Sequence, residues 1–272
     1  MILGISSYTF GWSIGVPGFP GQTTFDERDL LSKVLDYDLR CLQIGDNLPV
    51  HTFTELRKES LKLNLQRYDV RLELGAAGLT DEHLRLYIEL ASYFNSPLLR
   101  FVIDRDEYKP SGENVISILR NALPVLKNAD VTLGIENHDR FRVKELATIM
   151  DAVGSSSVGI CLDCANSLGA GEGIEWVVQV LAPYTVNFHI KDFSIKRLSH
   201  KMGFIVTGAR VGNGMLDIHS MIDKLNEYKR CQSAILEQWV PLCNTLDDTA
   251  TEERLWADQG INYLKQQPYF NR

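Results

Sequence analysis

Val158-Gly-Ile-Cys-Leu-Asp163 is apolar until its last residue, and that residue is a carboxylate. A short apolar run of this length reads as a strand buried on both faces. The same construction recurs on either side of it. Val131-Thr-Leu-Gly-Ile-Glu136-Asn137-His138 precedes it, and Val186-Asn-Phe-His189-Ile-Lys191-Asp192 and Ala234-Ile-Leu-Glu237-Gln-Trp239 follow. Working outward, strands are expected at Ile2–Ser6, Arg40–Gly45, Val70–Gly75, Leu98–Ile103, Val131–Glu136, Val158–Asp163, Thr185–Ile190 and Ser233–Glu237. Helical patterns separate them, as in Asp81–Phe94, where Leu84, Tyr87, Ile88 and Ala91 repeat at helical spacing. Thr24-x-x-Glu27 and Thr52-x-x-Glu55 read as capping boxes, and Thr80, Ser111 and Asp217 as N-caps. Strands that begin about 33 residues apart, each followed by a helix, make a parallel sheet. Eight of them in 272 residues predict an α/β chain folded as one (β/α)8 TIM barrel, residues 1–272. An open doubly wound sheet is the alternative, but Gly4-Ile5-Ser6-Ser7 after the first strand is no dinucleotide fingerprint.

Composition narrows the function classes. Hydrophobic residues make up 44% and charged residues 23%, enough for a full core and too apolar for a disordered chain. No apolar run reaches the roughly 18 residues of a membrane helix, and Met1–Ile5 follows no basic segment, so neither a membrane span nor a signal peptide is expected. The five cysteines show no framework spacing and fit a reducing cytoplasm. A net charge of −7 makes nucleic acid a poor partner unless Lys and Arg cluster locally.

An (β/α)8 barrel carries its active site at the C-terminal ends of its strands. Four successive strands there end in Glu136, Asp163, His189 and Glu237. Buried charges are normally paired or bound to metal. Three carboxylates and an imidazole suit a hard or borderline divalent ion: Mn2+ first, then Mg2+, Co2+ or Zn2+. The competing reading is a salt-bridge network with Lys191 and Arg100. His138 and Lys191 follow Glu136 and His189 by two residues, which places each on its neighbour's face of a continuing strand. His138 is then a candidate for a substrate hydroxyl, and Lys191 for a developing oxyanion or a structural pair with Asp163 or Glu237. Tyr8, Phe10 and Trp12 suit either a sugar-binding wall or the core. Asp192 and Asp217 read as structural.

With these residues in place, the chain resembles the xylose isomerase-like TIM-barrel superfamily, in particular its sugar (phosphate) isomerases and epimerases. The resemblance implies metal ligands Glu136, Asp163, His189 and Glu237, and Glu136 with Glu237 as an acid/base pair on opposite faces of the substrate. His189-Ile-Lys191-Asp192 and Gly212-Asn-Gly214-Met-Leu-Asp217 also look like this family. The implied activity is proton transfer beside a carbonyl, through a metal-stabilised enediolate, in a small sugar, sugar phosphate or sugar acid. A homo-oligomer is a family expectation. Two positions depart from the ketose epimerases. Asn166 stands where they carry a His three residues after the metal Asp, and Arg142 where they follow Glu136-x-x-x-Arg140-Phe141 with a Glu. Asn166 can still bind a substrate hydroxyl, while Arg142 reads as solvent-facing or as a contact for a substrate anion.

A long connection, residues 193–214, holds Lys196, Arg197, His200, Lys201 and Arg210 without an acid. Arg210 is a candidate substrate contact, and Gly212-Asn-Gly214 could offer backbone N–H groups to an anion. Cys161-Leu-Asp-Cys164 straddles a buried strand end and reads as packing rather than redox or zinc chemistry. Three other functions compete. A dehydratase of an inosose- or dehydroshikimate-like keto-polyol would use the same metal and base. An endonuclease IV-like nuclease would need more His ligands than six histidines and Asn166 supply. A non-catalytic sugar-binding protein would not need the intact ligand set.

Overall fold

The structure is a computed structural model that describes residues 1–19 and 25–270. Eight parallel strands close into a barrel in the order β1-β10-β7-β6-β5-β4-β3-β2. They are β1 (Ile2–Ser6), β2 (Cys41–Ile44), β3 (Arg71–Ala77), β4 (Leu98–Val102), β5 (Thr132–Glu136), β6 (Val158–Asp163), β7 (Thr185–Ile190) and β10 (Ser233–Leu236). All eight lie within a few residues of the predicted runs, and three match their bounds. The apolar composition explains this: lumen and helices cover both faces, so strand length follows the length of the buried run.

Helices α1 (Gly11–Ile14), α2 (Glu27–Asp36), α3 (Glu55–Tyr68), α4 (Asp81–Phe94), α5 (Gly112–Ala129), α6 (Val143–Val153), α7 (Cys164–Gly169), α8 (Ile174–Leu181), α9 (Ile218–Tyr228) and α10 (Leu246–Lys265) follow the strands. Thr80, Ser111 and Asp217 cap α4, α5 and α9 as expected. The box predicted at Thr24 lies outside the described residues, and Asp26 with Asp29 forms the capping box of α2. The box at Thr52 is not formed. Thr52 Oγ1 donates to the Pro49 carbonyl at 2.8 Å, and α3 is capped two residues later by Thr54, because a 3-10 turn over Val50–Thr52 delays the helix. Among the described residues no helix is long and apolar enough to cross a membrane.

The connection after β7 is not a plain loop. It folds as an antiparallel hairpin, β8 (Phe193–Arg197) and β9 (Phe204–Gly208), with Ile195 opposite Val206 and Arg197 opposite Phe204. The run Phe204-Ile-Val-Thr207 carries the strand signal that the surrounding basic residues obscured. Asp192 roots the hairpin. Its carboxylate accepts the N–H groups of Phe193, Gly212, Gly214 and Leu216 at 2.8–3.0 Å. Position 214 must be glycine, since a Cβ there would lie 2.0 Å from Asp192 Oδ1.

Candidate active site

Glu136 ends β5 and Asp163 ends β6, His189 is the penultimate residue of β7, and Glu237 follows β10. All four are buried, at 0–2% exposure, at the C-terminal mouth of the barrel. Pairing brings Glu136 beside Cys161 and Asp163 beside His189, so the four side chains converge. His189 Nδ1 lies 3.6 Å from Glu136 Oε2 and 3.5 Å from Glu237 Oε2. One ligand atom from each of Asp163, His189 and Glu237 falls within 4.8 Å of the others.

Each carboxylate is held from outside the cluster. Glu136 receives Arg100 Nε on one oxygen and Asn166 Nδ2 at 2.9 Å on the other. Glu237 Oε1 accepts from Ser6 Oγ at 3.1 Å, and its Oε2 lies 3.0 Å from Lys191 Nζ. Asp163 Oδ1 caps α7, accepting from Ala165 N and Asn166 N at 3.0 and 3.2 Å. Lys191 Nζ stands 2.5 Å from Asp163 Oδ2, an ion pair. Arg100 is shared, its Nη1 reaching Asp46 Oδ1 at 2.5 Å, and Tyr8 Oη donates to the other Asp46 oxygen at 3.0 Å.

Burial penalises the charge of Glu136, yet the Arg100 guanidinium and the His189 imidazole hold its carboxyl below the ordinary range. Burial likewise opposes the charge of Glu237, and His189 and Lys191 more than offset it, bringing that carboxyl to about 2. Asp163 goes the other way. Burial pushes it up, Lys191 opposes this, and Glu136 and Glu237 add to the rise.

The chemistry of this donor set fits a divalent ion. His189 Nδ1 is buried without a hydrogen-bond partner and belongs to the converging group, where Asp163 Oδ2 meets the Lys191 ammonium. Buried polar atoms rarely stay unpartnered, and those that do call for a specific explanation. Glu136, Asp163, His189 and Glu237 are the residues that would hold the ion, with oxygen and imidazole donors of the kind such ions take. Glu136, Cys161 and His189 also come within 4.8 Å of one another. Cys161, however, contacts the Nε2 edge of His189 at 3.2 Å, and burial pushes its thiol well above the ordinary range, so it stays protonated. Cys161 and Cys164 are buried free thiols, as the packing reading expects.

A pocket of about 600 Å3 opens above the cluster. Glu136, Glu237, Lys191, Asn166 and His138 all line it, together with Tyr8 and Trp239. His138 sits on the rim rather than on a continuing strand, because β5 ends at Glu136 and its side chain is half exposed. Of the three early aromatics, Tyr8 reaches the pocket and Phe10 is fully buried, while Trp12 Nε1 donates to the Val240 carbonyl at 2.9 Å.

Arg210 does not reach the pocket. Its guanidinium donates to Glu252 Oε1 at 2.5 Å and Gln259 Oε1 at 3.0 Å, since the hairpin root directs it toward α10. Gly212 and Gly214 do offer N–H groups to an anion, but that anion is Asp192 itself. Arg142 is exposed and begins α6, its N–H donating to Glu145 Oε2 at 2.9 Å.

Reading the sequence missed several supports. Asn137 clamps Asp163 on both backbone groups, donating to its carbonyl at 2.6 Å and accepting its N–H at 2.8 Å. Ser6 and Asp46, at or just past the ends of β1 and β2, hold Glu237 and Arg100. Gln43 lies inside the barrel, its Oε1 2.8 Å from His189 Nε2. The available signal was the polar residue itself within an apolar strand, as in Cys41-Leu-Gln43-Ile.

Residues 76–267 match the family described as Xylose isomerase-like TIM barrel. Among curated proteins, the chain is similar to a 3-oxo-isoapionate decarboxylase of Pectobacterium atrosepticum, 29% identical over 275 residues that cover 100% of this chain and 98% of that protein. Among solved structures, it is similar to a D-psicose 3-epimerase from Clostridium cellulolyticum H10 with D-tagatose, at TM-score 0.71 and 14% identity, covering 97% of each chain. A xylose isomerase-like TIM-barrel protein from Mycobacterium smegmatis in complex with magnesium gives TM-score 0.71 and 12% identity, again covering 97% of each.

Proposed function

Because the chain belongs to the xylose isomerase-like TIM-barrel family, we propose that it is a divalent-metal-dependent enzyme that generates an enediolate from a small polyhydroxylated keto acid by decarboxylation. The observation that carries the metal part is the convergence of Glu136, Asp163, His189 and Glu237 around the unpartnered Nδ1 of His189. A divalent ion there supplies Lewis-acid polarisation of a carbonyl and stabilises the charge that develops on its oxygen.

The chain's own residues account for the rest. In a 3-oxo acid, the bond between the carboxylate carbon and its neighbour breaks. Its electron pair forms the new C=C bond, the former carbonyl oxygen takes the negative charge, and CO2 leaves. Lys191 is the pocket-lining ammonium nearest the cluster and stabilises that oxygen. The Lys191 ammonium, held 3.0 Å from Glu237, delivers the proton that returns to carbon and takes another from solvent. Asn166 and His138 hold substrate hydroxyls from the pocket wall. Decarboxylation needs no strong base, which agrees with the Arg100 guanidinium fixed on Glu136. The decarboxylase likeness runs end to end, and Asn166 and Arg142 depart from the ketose-epimerase pattern.

A second reading has one observation in its favour. Glu136 and Glu237 both line the pocket, which is the arrangement an isomerase or epimerase needs for an acid/base pair. The same metal and the same enediolate serve it, entered by loss of a proton instead of CO2.

The test is to incubate the Mn2+-loaded protein in D2O with 3-oxo sugar acids, ketoses, sugar phosphates and inososes, following proton NMR and evolved CO2. Release of CO2 with one deuterium at the neighbouring carbon is expected. Deuterium uptake with a rearranged sugar and no CO2 would move the assignment to the isomerases and epimerases. A dehydrated product would move it to the lyases, and metal binding without exchange in any compound would favour a binding protein.

A further inference from the structure

Beneath the ligand cluster the barrel lumen is polar where apolar packing would be expected. Glu73 on β3 is fully buried there and does not line the site pocket. Four amide, hydroxyl and guanidinium groups donate to it. Ser233 Oγ at 2.7 Å and Arg71 Nη2 at 2.9 Å face its Oε1, and Gln43 Nε2 at 3.1 Å and Asn187 Nδ2 at 3.3 Å face its Oε2. The network leaves no freedom in how it is oriented. The Gln43 NH2 group is taken by Glu73 and, at 3.2 Å, by Asn187 Oδ1. Its carbonyl oxygen therefore faces His189 Nε2 at 2.8 Å, and a carbonyl only accepts. Nε2 must donate. In the neutral imidazole the lone pair then falls on Nδ1, the atom that faces Glu136 and Glu237 and has no hydrogen-bond partner. Cys161 is consistent with this, since its thiol donates to Asn187 Oδ1 at 3.0 Å and leaves its sulfur to accept from Nε2.

We propose that Glu73 is a positioning residue for the metal ligand His189: through Gln43 it fixes the neutral imidazole as the Nε2–H tautomer and keeps the Nδ1 lone pair aimed into the ligand cluster. The inference rests on the metal reading for its purpose but not for its first measurement. A histidine ligand that loses the partner of its other nitrogen typically loses about 10–100-fold in metal affinity.

The experiment uses the full chain in four forms: wild type, Glu73→Gln, Gln43→Leu and the double variant. In the metal-free protein, two-bond 15N–1H NMR of 15N-histidine reports the tautomer of His189. Calorimetric titration with Mn2+ alone reports affinity. Wild type should keep a proton on Nε2, donated to the Gln43 carbonyl. Glu73→Gln lets the Gln43 amide turn its NH2 toward Nε2, so it should populate the Nδ1–H tautomer and weaken Mn2+ by about 10–100-fold. Gln43→Leu should do the same, and the double variant should be no worse than Gln43→Leu alone, because Glu73 acts through Gln43. An unchanged tautomer in Glu73→Gln would overturn the proposal. So would a Glu73→Gln loss that persists in full on the Gln43→Leu background. Should Glu73→Gln fail to fold with Arg71 unpaired, Arg71→Met/Glu73→Gln removes both charges and carries the same expectation. A wild-type protein that shows the expected tautomer yet takes no Mn2+, Mg2+ or Zn2+ would refute the metal reading and leave the positioning result standing.

Discussion

Strands β5, β6, β7 and β10 carry Glu136, Asp163, His189 and Glu237 at or beside their C-terminal ends, whereas β1, β2, β3 and β4 end in Ser6, Ile44, Ala77 and Val102. The first group supplies the ligand-type side chains. The second supplies what holds them: Ser6 on Glu237, Gln43 on His189, Arg100 on Glu136 and, past β2, Asp46 on Arg100. One half of the barrel thus carries the ligand-type groups, and the other half supplies many of their partners, alongside Lys191 and Asn166 from the ligand half itself. Removing a residue from the first half should cost metal affinity most, while removing Arg100 from the second should leave an uncompensated charge.

The largest expected effect lies in the ligand half. Asp163→Ala and His189→Ala should each lower Mn2+ affinity by at least about 100-fold, measured by calorimetry. Wild-type affinity in either would break the assignment of these residues to one ion. In the holder half, Arg100→Met leaves the buried Glu136 carboxylate and Asp46 without their shared cation. Breaking such a pair from one side costs about 3–5 kcal/mol, so denaturant unfolding should show a loss of that size. Arg100→Met/Glu136→Gln should recover part of it. If the single variant unfolds like wild type, the division into holders and held is wrong for this pair.

The two halves were not equally legible in the sequence. A carboxylate that closes an apolar strand stands out because the charge sits where the buried run stops, so Glu136, Asp163 and Glu237 could be read directly. His189 reads the same way at the end of its apolar run, and Lys191 follows from its spacing two residues beyond it. The holders sit inside runs. Gln43 and Glu73 are mid-strand, and a polar residue there signals burial without saying what it faces across the lumen. Asp46 and Ser6 act over sequence separations of 54 and 231 residues, a pairing that only barrel closure creates. Arg210 failed for the complementary reason. A basic residue near the site says nothing about direction, and the rooted hairpin turns it toward Glu252.

Glu253 on α10 extends the holder set to the segment after β1 that carries Tyr8. Its carboxylate accepts from Trp12 N at 2.7 Å, Ser13 N at 2.9 Å and Ser13 Oγ at 2.7 Å. Burial outweighs these donors and pushes the carboxyl up from 4.5 to about 7. The folded state then binds this proton more tightly than the unfolded chain does. The stabilisation is fully present below about pH 4.5 and is lost as pH rises through about 7. The slope from this group is at most about 1.4 kcal/mol per pH unit. Glu253→Gln should flatten the stability profile between those limits in urea titrations at stepped pH. An unchanged slope would show that the group stays ionised and that the three donors, not burial, set its state.

Ser6→Ala gives the smallest effect and the finest test of the comparison. Ser6 Oγ donates to Glu237 Oε1 at 3.1 Å and accepts from Tyr8 N at 2.9 Å, so one hydroxyl ties the ligand half to the segment that carries a pocket wall. The variant removes no charge, and a typical hydrogen bond contributes about 1 kcal/mol net. Stability should therefore fall by about that amount, far less than for Arg100→Met. Glu237, though, would lose the partner that fixes one of its oxygens while Lys191 still holds the other. If the β1 end orients Glu237 and, through it, the proton donor Lys191, kcat should drop by about fivefold, one hydrogen bond's worth, with KM for the turned-over substrate nearly unchanged. If the β1 end matters only for folding, stability should fall and kcat should not.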